Sequence, residues 1–534
     1  MPIGAPCYEN SSSFNQQDCQ VVQEIASNST ARGAWYGQTY WLNWESCGNL
    51  GCALLEDNPT ENLYGACSLG RLASYYVDVE HAFHISESLR FAKAHNIRIG
   101  IKNTGHDFFG RSSVPNSLAI WTHNLKTLEY HENFTAHNCS SLSNQYIGEL
   151  GAGIIAGEAY EFFHAQGMDI TGGYEQSVGL AGGFAQGGGV GSFTTTYGLM
   201  ADNAVEFEVV TADGEIRTIN KCNDAELFWA MRGGGGGTFA ILTKYRVQLY
   251  PSLPIHVYKF TANFTGIGPN ITATKNTALR EIMTAHARLQ SSWSQQLVTG
   301  QVEYFPNRFT ASLVLLYDDD GSKLKSVTAS FAHFLAKRTD LSISENGYIS
   351  YDSYASYLDV TAADARVTEP AGIFSQLASR LIPRDVFESS QSIDALVDGV
   401  IHGIATARSF LDLTGTQVVL ETPLSNADLD QETSVNRAWR DSLWHVIHVG
   451  EWLQPLGAER SEKMTEGFLE MLKPLKQLSP GGGAYLNEAH WGEPDWQKTY
   501  FGTFYHRLLA IKSLYDPTHV FDCYKCVGWR GDQE

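Results

Sequence analysis

The chain has 534 residues, 43% hydrophobic and 18% charged, a globular composition that excludes a mainly disordered protein and leaves room for two to four domains. Lys and Arg number 37 against 58 Asp and Glu, and the resulting charge of −21 repels phosphate backbones and anionic lipid, so neither nucleic acid nor a membrane is an expected partner. No apolar run approaches the roughly 18 residues a spanning helix needs; the outlier is glycine, at 50 residues beside 12% aromatics, which suits backbone-lined sites for a large flat ligand.

Residues 1–67 form a first region, rich in Ser, Asn and Gly and holding Cys7, Cys19, Cys47, Cys52 and Cys67 of the nine cysteines. Such a segment lacks a dense core and needs staples, and disulfides persist only in oxidising compartments. We expect a secreted protein with disulfides, Cys7–Cys19 among them. Asn-x-Ser/Thr at Asn10, Asn28, Asn133, Asn138, Asn263 and Asn270 agrees with glycosylation. Met1-Pro2-Ile3-Gly4 has neither a basic start nor an apolar stretch, so the chain reads as a mature form with an added methionine. Cys523-Tyr-Lys-Cys526 has no second ligand pair nearby, so it reads as a terminal disulfide rather than a zinc site.

The next region, 68–252, mixes helix, strand and hairpin. Val79, Ala82, Phe83, Leu89 and Ala92 recur at helical spacing, ending near Asn96. Ile97 to Ile101 then alternates as a strand and runs into the polar turn Lys102-Asn-Thr-Gly-His-Asp107. Val205, Phe207 and Val209 alternate again, with a tight turn at Asp213-Gly214. Asp224 is placed to cap a helix running to Arg232, stopped by Gly233 to Gly237, and Phe239 to Thr243 continues as a strand. The class is α+β, without the regular alternation of a doubly wound sheet.

A boundary is expected near Pro251-Ser-Leu-Pro254. Within 253–483, Thr274 to Leu289 and Asp428 to Trp439 read as helices; Gln301 to Tyr304, Ala311 to Tyr317 and Trp444 to Val449 read as strands. A sheet covered by helices on one face fits this pattern. Residues 484–534 close the chain.

Several common sites are absent. No Gly-Lys dipeptide exists for a P-loop, and neither His-Glu-x-x-His nor Gly-x-Ser-x-Gly occurs. Gly151-Ala-Gly-Ile-Ile-Ala156 meets only a loose dinucleotide pattern and lacks the surrounding strand–helix–strand alternation. What remains is three glycine-bearing segments in one domain: Thr104 to Asp107, Gly179 to Gly191, and Gly233 to Gly237. Glycine lets backbone N–H groups approach a pyrophosphate closely. The residues alone point to a large, anionic, planar cofactor held by backbone.

Ile99-Gly-Ile-Lys-Asn-Thr-Gly-His-Asp-Phe-Phe-Gly-Arg-Ser112, followed by Asn116 to His123, resembles the FAD-binding segment of berberine bridge enzyme-like oxidoreductases of the vanillyl-alcohol oxidase superfamily. The resemblance continues through Val178 to Gly183, Gly187 to Gly189, Tyr197 to Asn203 and Leu227 to Gly237. It ends in Tyr485 to Glu488, Tyr500 to Tyr505 and Tyr515 to Phe521. It is collinear from about Cys67 onward and closest to the fungal isoamyl-alcohol-oxidase-like branch.

That resemblance implies a two-part FAD domain, a substrate domain with a large antiparallel sheet, and a C-terminal strip returning to the flavin. It has Lys102, Asn103, Thr104, Gly105 and Asp107 wrap the pyrophosphate with backbone N–H groups, and counts Ser112 among the cofactor-binding residues. His106 matches the histidine bonded to the flavin 8α-methyl, a neutral imidazole being a competent nucleophile. Gly179, Gly182, Gly183 and Gly189 would line the ribityl chain and ring, and Ile241 would meet the adenine. Bicovalent members carry a second linking cysteine where this chain has Glu175, so attachment through His106 alone is expected. The usual Asn-Tyr pair of the C-terminal strip reads Phe504-Tyr505.

The resemblance further implies hydride transfer from a substrate C–H to the flavin, helped by a base. Tyr485 and Asn487 would contact the flavin, and Glu488 stands where sugar-oxidising members place a catalytic tyrosine. A buried carboxylate with a raised pKa suits a base, though the same residue suits a structural ion pair. Tyr505, His445 and His448 are weaker candidates, and Leu180 falls at the position that gates oxygen. The function read from all this is an FAD-dependent oxidase acting on a C–H beside an alcohol or amine of a small molecule, with O2 as acceptor and H2O2 as product. A redox-neutral isomerase or cyclase, a slow-reoxidising dehydrogenase and a non-catalytic flavin-retaining binder are the alternatives. The expected protein is monomeric.

Overall fold

The computed structural model describes residues 1–26, 28–38, 40, 67–140, 143–266, 273, 276–316, 318–358, 374–409, 413–420, 433–452 and 458–531. Three sheets organise them. The first is a small parallel sheet of β1 (Tyr75–Asp78), β2 (Ile99–Lys102) and β3 (Leu118–Trp121), with β3 in the middle. A parallel pair needs a crossover, and the helix Ala82–Ala94 supplies the one between β1 and β2. Its inward residues are Ile85, Leu89 and Ala92, whereas Phe83 faces solvent. Asn96 ends it in the left-handed region at φ 52°, a conformation asparagine tolerates better than most residues.

The second sheet holds β4 (Leu128–Thr135), β5 (Ser143–Gly151), β7 (Ala204–Val210), β8 (Ile216–Asn220) and β9 (Ile241–Pro251), in the order β4-β5-β9-β7-β8. A short β6 (Met168–Ile170) pairs with the far end of β9. The β7–β8 hairpin turns at Asp213-Gly214 as its sequence predicts, with Gly214 at φ 83°. The helix Ala225–Met231 begins after Asp224, but the Asp224 side chain makes no cap; it accepts the Tyr515 hydroxyl instead, at 3.0 Å.

The third sheet is antiparallel throughout: β10 (Ile255–Phe264), β11 (Thr299–Tyr304), β12 (Arg308–Leu315), β13 (Leu341–Tyr351), β14 (Phe374–Pro383), β15 (Leu413–Val419) and β16 (Ser442–Trp452), ordered β13-β10-β12-β11-β15-β16-β14. Its two faces separate by strand alternation. Tyr258, Phe260, Leu313, Val418, Trp444 and Val446 enter one core with the helices Thr277–Gln295, Ser322–Ala336 and Ser390–Ala407. Val257, Val314, Leu377, Val419 and Ile447 point the other way, into cores shared with the glycine-rich region. Helices therefore cover one face, and the other lies against the domain that carries the site. Of the predicted helix Asp428 to Trp439, residues 428–432 lie outside the described residues and 433–437 are not helical; a short helix, Ala438–Asp441, begins only at its end. The α+β class read from the sequence is the one observed.

Disulfides join Cys7 to Cys19 and Cys523 to Cys526, as expected, and Cys139 to Cys222 across 83 residues, a pairing the spacing did not suggest. No helix among the described residues is long and apolar enough to cross a membrane.

Candidate functional site

An open cavity, about 1480 Å³ of empty space counted out into the solvent at its mouth, lies where the first two sheets meet the C-terminal strip. The turn after β2 brings Asn103, Thr104, Gly105, His106, Asp107 and Ser112 to its wall. The segment before β7 adds Glu175, Gly179, Gly182 and Gly183, β9 adds Ile241, and the C-terminal strip adds Tyr485, Asn487 and Glu488. Residues nearly 390 positions apart thus share one cavity because a parallel strand, a glycine turn and the returning strip converge on it.

The local chemistry explains the glycines. A Cβ on Gly179 would stand 1.9 Å from the Asn103 side-chain oxygen, so only glycine lets these two segments meet. Gly105 turns the chain at φ 93°, a conformation that side chains disfavour. Asp107 closes the same turn by accepting Arg111 N–H at 2.6 Å and its guanidinium Nε at 2.8 Å, which neutralises an acid beside the cavity.

Lys102, Gly189 and Tyr505 stand elsewhere. The Lys102 side chain is buried behind the turn, where its ammonium donates to the carbonyls of Tyr36 (2.6 Å) and Gln38. It anchors the N-terminal segment to the turn rather than facing the cavity. Gly189 donates its N–H to the Tyr485 hydroxyl at 3.1 Å and lies behind that ring. Tyr505 packs edge-on against Trp496, 5.5 Å between centroids, in the core beneath the strip, so its hydroxyl is not part of the cavity wall. We therefore drop it as a catalytic candidate. Leu180 is wholly buried and also outside the lining.

His106 is held on two sides. Its ring stacks on Tyr40, with centroids 3.7 Å apart and planes within 18°. Its Nε2 lies 2.9 Å from the Ser177 hydroxyl, which in turn donates to Glu175 Oε1 at 2.8 Å. Tyr40 and Ser177 were missed by sequence reasoning; nothing in their local pattern marks them, and only the fold brings them to the turn.

Glu488 sits in different surroundings. Its side chain keeps 30% of its surface, open to the cavity, but the protein packed around it raises its pKa to about 7, because a partly desolvated carboxylate favours its neutral form. Among the described residues the one basic side chain within 4.0 Å is His445, whose Nδ1 is 3.8 Å from the carboxylate. His445 is fully buried between Trp439 and Tyr485, both ring nitrogens lack hydrogen-bond partners, and burial pushes its pKa down to about 3. The neutral ring cannot form an ion pair with Glu488. The Tyr485 hydroxyl accepts Asn487 Nδ2–H at 2.7 Å besides the Gly189 N–H, and burial, then the charge of Glu488, raises its pKa, so it stays a phenol. His448 is farther off, bonded to Thr416 at 2.7 Å inside the sheet.

Two family descriptions match the chain, "FAD binding domain" over residues 73–220 and "Berberine and berberine like" over residues 484–526. The bifunctional decalin synthase calF of Penicillium decumbens is 31% identical over 496 residues, covering 86% of this chain and 77% of that protein. The chain belongs to the berberine bridge enzyme-like FAD-linked oxidoreductases. The VAO-type flavoprotein MtVAO615 from Myceliophthora thermophila C1 superimposes on this oxidoreductase with a TM-score of 0.85 at 26% identity, over 99% of this chain and 92% of that one. Acremonium strictum glucooligosaccharide oxidase, described with a 6-S-cysteinyl, 8α-N1-histidyl FAD, has the same fold, with a TM-score of 0.69 at 20% identity over 86% and 92% of the two chains.

FAD suits the cavity of this oxidoreductase on its own evidence. The buried side-chain atoms Asn103 Oδ1, Ser112 Oγ, Gln186 Oε1 and Asp522 Oδ1 have no hydrogen-bond partner among the described residues, and all four residues border the cavity. Buried polar atoms without partners are uncommon in folded proteins. Four around one glycine-walled space are the complement of a polar cofactor.

Proposed function

We propose that the protein is a secreted, monomeric FAD-dependent oxidase that takes hydride from a C–H beside an alcohol or amine of a small molecule, with O2 as acceptor and H2O2 as product. Bound FAD supplies the hydride acceptor and the route for two electrons to O2. The protein's own part is binding, orientation and the proton. His106 holds the cofactor covalently and alone, since Glu175 stands in the place of the second linking cysteine of bicovalent relatives. Asn103, Thr104, Gly105, Asp107, Ser112, Gly179, Gly182, Gly183 and Ile241 bind it, with Tyr485 and Asn487 against its ring. The division of labour follows residues 1–67, 68–252, 253–483 and 484–534: staple, cofactor, substrate and returning strip.

The observation that carries this reading is Glu488, a carboxylate open to the cofactor cavity, with no cationic partner among the described residues and a pKa raised to about 7. A base works best with a pKa near the operating pH. Glu488 takes the proton from substrate oxygen or nitrogen as the adjacent C–H hydride leaves. Screening alcohols, amines and secondary metabolites in air, with flavin bleaching and peroxide followed together, tests it. A substrate must bleach the flavin without oxygen and yield one peroxide per turnover with it.

The 31% likeness to a decalin synthase favours a second reading, a redox-neutral cyclisation in which Glu488 moves a proton within one substrate. Product formed without oxygen uptake or flavin bleaching identifies that case. Secretion is supported by the disulfides and by the exposure of every described sequon asparagine: Asn10, Asn28, Asn133, Asn138 and Asn263.

A further inference from the structure

We propose that Glu175 and Ser177 form a proton relay that sets the tautomer of His106 and drives its attachment to FAD through Nδ1. The inference rests on the reading of His106 as the linking residue and adds the machinery that makes it reactive.

A serine hydroxyl has a single proton to donate. Ser177 Oγ lies 2.8 Å from Glu175 Oε1, and an ionised carboxylate only accepts, so the hydroxyl proton points to Glu175. Ser177 Oγ must then accept from His106 Nε2, 2.9 Å away. The proton of the neutral imidazole is fixed on Nε2, and Nδ1 carries the lone pair. This is how a hydrogen bond at one ring nitrogen selects the chemistry of the other.

The surroundings hold this arrangement in place. Ser177 is 1% exposed, and its backbone N–H donates to the same Glu175 oxygen at 3.1 Å. Ser29, from the N-terminal segment, donates to that oxygen at 3.4 Å. Tyr40, from the same segment, fixes the plane of the imidazole by stacking. The carboxylate that replaces a linking cysteine is therefore turned toward the remaining link.

The Nδ1–C8α bond forms and one C–H bond of the 8α-methyl breaks, its hydrogen leaving as a proton. His106 gives up its Nε2 proton through Ser177 to Glu175. The two electrons of the broken bond stay on the ring until O2 removes them, together with the two protons, as H2O2. Without a carboxylate to draw off the Nε2 proton, the attacking ring would have to carry a positive charge in a partly buried site.

The test follows covalent flavin rather than turnover. Protein produced with excess FAD is harvested at intervals, precipitated in acid, and its denatured band scored for flavin fluorescence. Wild type should retain flavin, with digestion and NMR of the flavinyl peptide assigning the link to His106 Nδ1. Ser177→Ala and Glu175→Gln should fold yellow yet acquire the link about tenfold or more slowly, the scale of a lost general base. Ser177→Thr keeps the hydroxyl and should restore the wild-type rate, which a merely structural role would not require. Linkage of Ser177→Ala and Glu175→Gln at the wild-type rate, or a link on Nε2, overturns the relay while leaving the His106 reading intact. Free FAD from acid-treated wild type, or a flavinyl peptide from another residue, overturns both.

Discussion

The cavity wall around His106 and the wall around Glu488 are built on opposite principles. At His106 the polar groups are linked in a chain: imidazole Nε2 to serine, serine to Glu175 Oε1, and that oxygen to two further donors. At Glu488 the carboxylate faces a buried, neutral histidine with no hydrogen bonds of its own. A satisfied network fixes position and tautomer; a desolvated acid without partners keeps its proton affinity high. The first arrangement suits a bond made once, and the second suits a proton moved in every turnover.

The largest expected effect breaks the second wall. Glu488→Gln preserves shape but accepts no proton, so flavin reduction by substrate should slow about 10²- to 10⁴-fold, measured by anaerobic stopped flow. In the wild type the carboxylate must be ionised to act, so the reduction rate should rise with pH through about 7 and level off above it. The variant should lose that rise. An unchanged rate, or a rise that persists in Glu488→Gln, would assign the base elsewhere.

Next in size is a change to the cofactor wall. Gly179→Ala sets a Cβ 1.9 Å from Asn103 Oδ1. Overpacking of this kind costs about 1–3 kcal/mol, and here it pushes a side chain into cofactor space. The flavin-to-protein ratio of purified Gly179→Ala should fall well below that of the wild type, read from the visible and ultraviolet absorbances. Full occupancy would show that the two segments can part without loss.

The glycine-walled half of the site was legible in the sequence because backbone approach demands a residue type at fixed places. Of the five glycines the resemblance assigns to the cofactor, Gly105, Gly179, Gly182 and Gly183 line the cavity and Gly189 lies behind Tyr485. The strands and the Asp213-Gly214 turn were legible for a similar reason, alternation and turn chemistry being local. Contacts made across the fold were not. Tyr40 reaches His106 from the N-terminal segment, His445 reaches Glu488 from β16, and Cys139, in the loop after β4, reaches Cys222, in the turn after β8. The resemblance assigns Lys102 to the cofactor through its backbone N–H; it gives no sign of the side chain's role, which is to bond the N-terminal carbonyls of Tyr36 and Gln38. The substrate sheet stayed silent because its apolar alternation records packing, and packing carries no motif.

A smaller effect is expected behind the ring. Tyr485→Phe removes the acceptor of both the Gly189 N–H and the Asn487 amide. Leaving buried donors unpaired costs about 1–3 kcal/mol, so the thermal midpoint of the holoprotein should drop. Flavin reduction should slow less than in Glu488→Gln, because the raised pKa of Tyr485 keeps its proton in place and out of the reaction. A loss as large as that of Glu488→Gln would move the base to Tyr485.

The smallest effect belongs to Tyr505. It follows the family's C-terminal strip in sequence, yet its ring lies in the core beneath Trp496 and Phe501, away from the cavity wall. Tyr505→Phe keeps that ring and its apolar contacts, and the hydroxyl it removes touches neither cofactor space nor Glu488. Changes away from caps, cavities and buried networks stay within about 0.5 kcal/mol, close to twofold in a rate. Tyr505→Phe should therefore reduce its flavin within twofold of the wild type at every pH, with the rise through about 7 intact. A larger loss would mean that the strip moves when substrate binds, bringing Tyr505 to the ring and making the contrast between the two walls a property of the resting protein alone.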